Sequence, residues 1–200
     1  MTDPFIAQLK SEWFERLDRI IATSQTLPSS DLKCIELCHQ RCCPRTELRF
    51  KPAHEVASSI VVLMPFEMEY LMEKTGASQK VFRRWPLAWS HDVTIEIGMF
   101  DLGKTCPFLT GDLQCSIYEF YPLDCRTYPL LPYLDYRREL HWELSSTCPS
   151  RERFNPVVAT NAKHFWQDLV PYLPQAWWDL YDFADHWKGW PEPAESTDAS

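Results

Sequence analysis

Eight cysteines fall in two groups along this chain, and that arrangement restricts the fold more than any other feature. Cys34, Cys38, Cys42 and Cys43 are packed into ten residues as C-x3-C-x3-C-C. Cys106, Cys115, Cys125 and Cys148 are strung through proline-rich sequence, with Pro107, Pro122, Pro129 and Pro149 close by. A chain of 200 residues buries a sizeable core without covalent staples. The thiols therefore point to ligation, with a metal site as the leading reading. The first residues, MTDPFIAQLKSEWFERLDRII, show no basic leader, no unbroken apolar run and no small-residue cleavage site. The expectation is a cytoplasmic protein, where thiols stay reduced and a disulfide framework is disfavoured.

The spacing of the first group narrows the chemistry. Thiols four residues apart share one face of a helix, with Cβ atoms about 5 to 6 Å apart. Cys34 and Cys42 would stand about 12 Å apart along a straight helix, too far for one zinc with Zn–S bonds of about 2.3 Å. Pro44 disfavours helical geometry at Cys43, so the helix is expected to stop near Cys42 and throw the last two thiols in different directions. Sulfurs spread around a volume suit a multinuclear cluster, or two neighbouring metals, better than a lone finger-type zinc. Soft thiolates select iron–sulfur clusters or zinc over magnesium or calcium. An iron–sulfur cluster is the expected cofactor, with zinc as the alternative. Arg41, Arg45 and Arg126 lie beside cysteines, where positive charge favours thiolate. Ordinary surface ion pairing is the other reading of these arginines.

The same residues carry a resemblance. The first group, followed by TCPFLTGDLQCSIYEFYPLDCRTYPLLP, resembles the cysteine-cluster family named for its CxxCxxCC motif (the YkgJ type). The likeness runs from about Lys33 to Pro149. It is most specific in the order C-P-F-L, C-S-I-Y-E, P-L-D-C-R-T-Y-P. The first group departs from it, with three-residue gaps where the motif name has two. The resemblance implies a zinc- or iron-chelating domain. It implies Cys34, Cys38, Cys42, Cys43, Cys106, Cys115, Cys125 and Cys148 as metal ligands. Some members of the family are labelled iron–sulfur oxidoreductases, and the flagellin lysine methylases look like relatives sharing the cysteine block.

The rest of the chain predicts an α+β fold, predominantly helical, with a few short strands around a cysteine-ligated metal centre. Phe5, Ile6, Leu9, Trp13, Leu17, Ile20 and Ile21 recur at helical spacing, and Asp3-Pro4 supplies a cap, giving a helix over 4–24. Leu27 to Asp31 breaks it, and a second short helix carries the first cysteines. Ile60–Leu63, Val93–Ile97 and Leu140–Leu144 read as strands. A helix opened by Pro65 has acids in its first turn and Lys74 and Gly76 at its end. The cysteine core spans 31–150, aromatic helices follow over 155–189, and 191–200 is a disordered-looking tail. Residues 1–190 are thus expected to form a single metal-binding domain.

Other classes are disfavoured. The net charge is -8 with Lys and Arg scattered, which argues against a nucleic-acid footprint. No stretch approaches a membrane span. There is no glycine loop for phosphate and no Ser-His-Asp order. His39 lies among the first thiols but reads as a surface histidine, and His91 and His141 as structural or exposed. Tyr118, Tyr121 and Tyr128 either tune a cluster or pack around it. Asp124 and Arg126 read as a local pair, and Glu67, Glu69 and Glu73 as a solvated helix face. Trp166, Trp177, Trp178, Trp187 and Trp190 read as core-covering, with a protein-partner face as the alternative. Redox or protein-modifying enzyme, or non-catalytic chelating module, both remain open at this point.

Overall fold

The computed structural model describes residues 3–26, 60–101, 106–111, 114–145, 148 and 156–185. Cys34, Cys38, Cys42, Cys43 and His39 lie outside these residues. So do the break at Leu27 to Asp31, the second short helix, Trp187, Trp190 and the tail over 191–200.

The order along the chain is α1 (Pro4–Thr26), β1 (Ile60–Val62), α2 (Glu67–Thr75), β2 (Arg83–Ser90), β3 (Val93–Asp101), α3 (Leu123–Thr127), β4 (Leu130–Leu134), β5 (Leu140–Leu144), α4 (Pro156–Leu169) and α5 (Gln175–Asp185). Helices and short strands together make an α+β fold. Helix α1 starts as its sequence predicts: Asp3 Oδ1 accepts the Phe5 N–H at 2.8 Å, capping a turn that has proline at its first position. Helix α2 ends at Gly76, whose left-handed φ of 70° lets its N–H reach the Met72 carbonyl. Among the described residues, no helix is long and apolar enough to cross a membrane.

The first sheet is antiparallel, in the order β1-β3-β2, so β3 is its centre. Period-two alternation sends its side chains into two different layers. Val62, Leu87, Ile95, Ile97 and Met99 pack with Trp13 and Ile20 of α1 and with Trp166, Trp177 and Trp178 of α4 and α5. Val61 and Phe100 point the other way and pack with Met68 and Leu71 of α2, Phe82, Cys106, Phe108 and Ile117. The sheet therefore separates a tryptophan core from a cysteine-bearing layer. Gly98 makes the second layer close: a Cβ placed there would lie 2.5 Å from the Cβ of Met68.

Helix α1 packs on α2 through Leu17, Ile21 and Tyr70. The Tyr70 hydroxyl donates to Asp18 at 2.6 Å. The second sheet is the β4–β5 hairpin, with Leu130 opposite Leu144 and Leu134 opposite Leu140.

Two strands escape the sequence patterning. Both β2 and β4 contain proline, at Pro86 and Pro132. Proline removes a ladder donor and normally argues against a strand, but it is tolerated where one side of the strand has no partner. Among the described residues, strand β2 is the edge of its sheet and β4 belongs to a two-stranded one.

Candidate metal centre

The described residues 106–111 and 114–127 form a succession of tight turns on the α2 side of the sheet. Leu109 N–H bonds the Cys106 carbonyl at 3.0 Å, and Leu109 bridges Cys115 as an isolated antiparallel pair. Thr110 N–H reaches the Gln114 carbonyl and Ser116 N–H the Phe108 carbonyl, both at 2.8 Å. This small hairpin carries Cys106 and Cys115 on its two arms. A 3-10 turn over Tyr118–Phe120 follows, then Pro122 at the head of α3, which holds Cys125.

Cys106 is buried, and Cys115 and Cys125 are half-buried against the same apolar layer as Met68 and Leu71. The sequence thus brings three of its four second-group candidates together. Cys148 is also buried, and follows β5. Its N–H bonds the Ser145 carbonyl at 3.2 Å, and Ser145 N–H bonds the carbonyl of Pro129, two residues beyond the end of α3. All four are thiols rather than disulfides.

Helix α3 has only five residues, far too few to hold together alone. Its place is set by side chains from three neighbours. Glu67 accepts the Leu123 N–H at 2.9 Å. Trp166 donates its indole N–H to Thr127 at 3.0 Å. Tyr181 donates to Asp124 at 2.7 Å.

Arg126 supplies the local positive charge. Its guanidinium lies 4.1 Å from the centre of the Tyr121 ring. It donates to Ser24 Oγ at 2.6 Å and to the Glu119 carbonyl at 3.0 Å. The Asp124–Arg126 pairing read from the sequence is therefore replaced by two separate ties, Asp124 to Tyr181 and Arg126 to α1 and the 3-10 turn. Helical geometry explains this, because residues two apart point to different faces.

Burial pushes the Cys115 thiol up, and the charge of Cys106 adds to it. The Ile117 N–H and Arg126 act in the opposite direction without overcoming burial. Burial raises Tyr121 as well and lowers Arg126. A buried thiol of this kind ionises only with a cation beside it. Tyr118 stacks on Tyr121 with ring centres 5.2 Å apart, so these two tyrosines cover the Arg126 side of the site. Tyr128 is turned away to Ser145, 3.4 Å off.

Glu67 corrects the sequence reading. It does not lie on a solvated face but is buried, with Met64 N–H on one oxygen at 2.8 Å and Leu123 N–H on the other. Burial outweighs those bonds and the nearby Arg126, and its pKa is pushed up to about 7. Glu69 is half-buried and also raised by burial, while Glu73 is exposed as expected. The overlooked signal is the unbroken apolar run IVVLMPF that leads straight into Glu67.

Among the described residues, the three metal-ligating groups whose donor atoms all lie within 4.8 Å of one another are Asp135, Glu139 and His141. No three of the described cysteines close to that distance. The acidic trio is explained by its hairpin turn. Asp135 accepts the N–H groups of Arg137 and Glu139 at 2.9 and 2.8 Å and faces His141 at 3.2 Å. The Glu139 N–H leads in holding the Asp135 carboxyl below its usual range. His141 is thereby structural, stacked on Tyr133, and His91 is exposed.

The model of the CxxCxxCC family, described as "Putative zinc- or iron-chelating domain", matches residues 33–149, more than half of the chain. The chain belongs to the CxxCxxCC family. Membership makes metal binding, of zinc or iron, its functional class. The matched span covers both cysteine groups and everything from α2 to β5 that surrounds the thiol layer. No curated protein and no solved structure matches the chain.

Proposed function

We propose that the chain holds an iron–sulfur cluster on thiolates drawn from Cys34, Cys38, Cys42, Cys43, Cys106, Cys115, Cys125 and Cys148, enough for two four-ligand centres or for one with spare thiols, and that it serves a redox or protein-modifying reaction. The observation carrying this reading is the gathering of Cys106, Cys115 and Cys125 on one apolar layer beside Arg126. Four sulfurs 2.3 Å from one zinc need to sit about 3.8 Å from each other. No three of the described sulfurs lie within 4.8 Å of one another, and a cluster takes its thiolates from a wider shell than one zinc does. When bound, such a cluster supplies one-electron chemistry.

The residues of this chain have separable tasks in that reading. The Phe82, Phe100 and Phe108 rings and Met68 exclude water from the thiols. The Ile117 N–H meets the Cys115 sulfur and stabilises negative charge on it. Arg126, held against Tyr121, offsets the charge of a thiolate-rich centre.

A second reading is a non-catalytic module in which zinc or iron is structural or stored. The burial of Cys106 and Cys148 favours it, because a centre with four protein thiolates and no exposed side is closed to substrate. Metal and acid-labile sulfide analysis of anaerobically isolated protein separates the two. Iron with sulfide and a reversible redox transition supports the cluster. Stoichiometric zinc without sulfide, with unfolding on chelation, supports the module.

A further inference from the structure

We propose that Glu67 is a positioning residue of the thiolate site: its buried carboxylate ties the head of α3 to the turn before α2 and so fixes where Cys125 stands relative to Cys106 and Cys115. This rests on the reading of those three cysteines as metal ligands.

The geometry is that of a two-ended clasp. One carboxylate oxygen takes Met64 N–H at 2.8 Å, and the other takes Leu123 N–H at 2.9 Å. The two donors are 59 positions apart in sequence, yet one side chain satisfies both. Leu123 is the first residue of α3, and Cys125 is two residues on. Glu67 itself is in the first turn of α2. The following residues on that helix, Met68 and Leu71, form part of the layer against which Cys106, Cys115 and Cys125 pack. Helix α2 is therefore the common platform. Its apolar side touches the thiol layer, and its one buried acid anchors the segment bearing Cys125.

A buried carboxylate is costly to keep unless something needs it, and a well-packed apolar residue would serve packing alone. Here the acid satisfies two backbone donors that would otherwise be stranded. Pro122 immediately precedes Leu123, so the head of α3 has no side-chain cap of its own. Other ties on α3 run from Tyr181 to Asp124, from Trp166 to Thr127 and from Arg126 to Ser24 and the Glu119 carbonyl, and none of these acts on Leu123 itself. Losing Glu67 releases Leu123, the first residue of the helix that carries Cys125.

The test uses cadmium, a soft ion whose thiolate complexes absorb in the ultraviolet, titrated into the reduced, metal-free full chain. The variants are Glu67→Ala, Glu67→Gln and, as a stability control in the tryptophan core, Leu87→Ala. The folded fraction of each is followed by circular dichroism. The expected result is cadmium affinity about 10- to 100-fold weaker in E67A, in line with the loss of an outer-shell partner. E67Q keeps the volume and one acceptor oxygen and is expected to fall between E67A and wild type. L87A loses stability but keeps wild-type affinity. If E67A does not fold, E67Q against L87A decides the matter. Glu67 variants that bind cadmium as wild type does, or that weaken no more than L87A, overturn the proposal. A wild-type chain without a cadmium–thiolate band overturns the underlying assignment of the cysteines instead.

Discussion

The indole N–H of Trp166 on α4 donates to the hydroxyl of Thr127 at the end of α3, 3.0 Å away, with both residues fully buried. The Thr127 hydroxyl in turn donates to the Leu123 carbonyl one turn earlier. A tryptophan thus reaches through the core to hold the short helix that carries Cys125. Trp177 does the same for the chain leaving β1, donating to the Leu63 carbonyl at 3.0 Å. The buried tryptophans of α4 and α5 act as structural arms with polar tips, in keeping with the core-covering reading of the aromatic C-terminus.

Thr127→Val keeps the shape of that residue but strands the Trp166 N–H. A buried donor without its acceptor costs about 1 to 3 kcal/mol. Trp166→Phe removes the donor along with part of the ring and is expected to lose packing as well. Urea denaturation of the two single variants and the double variant gives the coupling. The double variant should be less destabilised than the sum of the two, because no stranded N–H remains.

Gly98 carries a different kind of prediction. It is central to β3, and a methyl group there meets the Met68 Cβ at 2.5 Å and the Leu63 Cδ1 at 3.0 Å. The first is the root of a side chain on a packed helix and has little room to give. Gly98→Ala is expected to destabilise by about 1 to 3 kcal/mol, typical of forced overpacking. It should also displace α2 from the sheet, which would be read as increased reactivity of the Cys106 and Cys115 thiols toward an alkylating reagent. Unchanged stability would contradict the close approach of α2 and β3.

Glu67 makes a contribution with a definite sign in pH. Burial raises its pKa from the ordinary 4.5 to about 7, so the folded chain holds this proton more tightly than the unfolded one. The favourable contribution is therefore full below about pH 4.5 and is lost as the pH rises through about 7. At about 1.4 kcal/mol per pKa unit, the change across this window is of order 3 kcal/mol. Glu69 is raised by burial too, so the useful quantity is the stability of wild type minus that of Glu67→Gln at each pH. That difference should fall between pH 4.5 and 7 and level off above. A flat difference contradicts the burial of an ionisable acid here.

The sequence was most legible where local chemistry and periodicity agreed. The cap at Asp3-Pro4 and the stripe from Phe5 to Ile21 locate α1, Gly76 ends α2, and the β5 strand falls where Leu140 to Leu144 alternate. Legibility failed where tertiary context reversed a local rule. Pro86 and Pro132 sit in strands that, among the described residues, pair on one side only, which only the sheet order reveals. Glu67 resembles an ordinary first-turn acid until Leu123, 56 positions away, arrives to use its second oxygen. The thiol layer shows both cases. The motif order identified Cys106, Cys115 and Cys125 as a group, but their platform is Met68 and Leu71, which no spacing rule connects to them.

The ligand assignment makes a graded prediction across the second group. Cys106→Ser and Cys115→Ser remove thiols from the two arms of one small hairpin, and Cys125→Ser removes one from α3. Each is expected to lower metal content per chain while leaving the tryptophan core folded, as followed by near-ultraviolet circular dichroism. Full metal content in all three variants would remove these residues from the ligand set.

The central claim is that sulfur holds the metal. X-ray absorption at the edge of the metal found in freshly isolated, reduced protein tests it most directly. The account predicts a first shell of sulfur at about 2.3 Å, with a second iron shell where a cluster is present. A first shell made only of nitrogen and oxygen would contradict it.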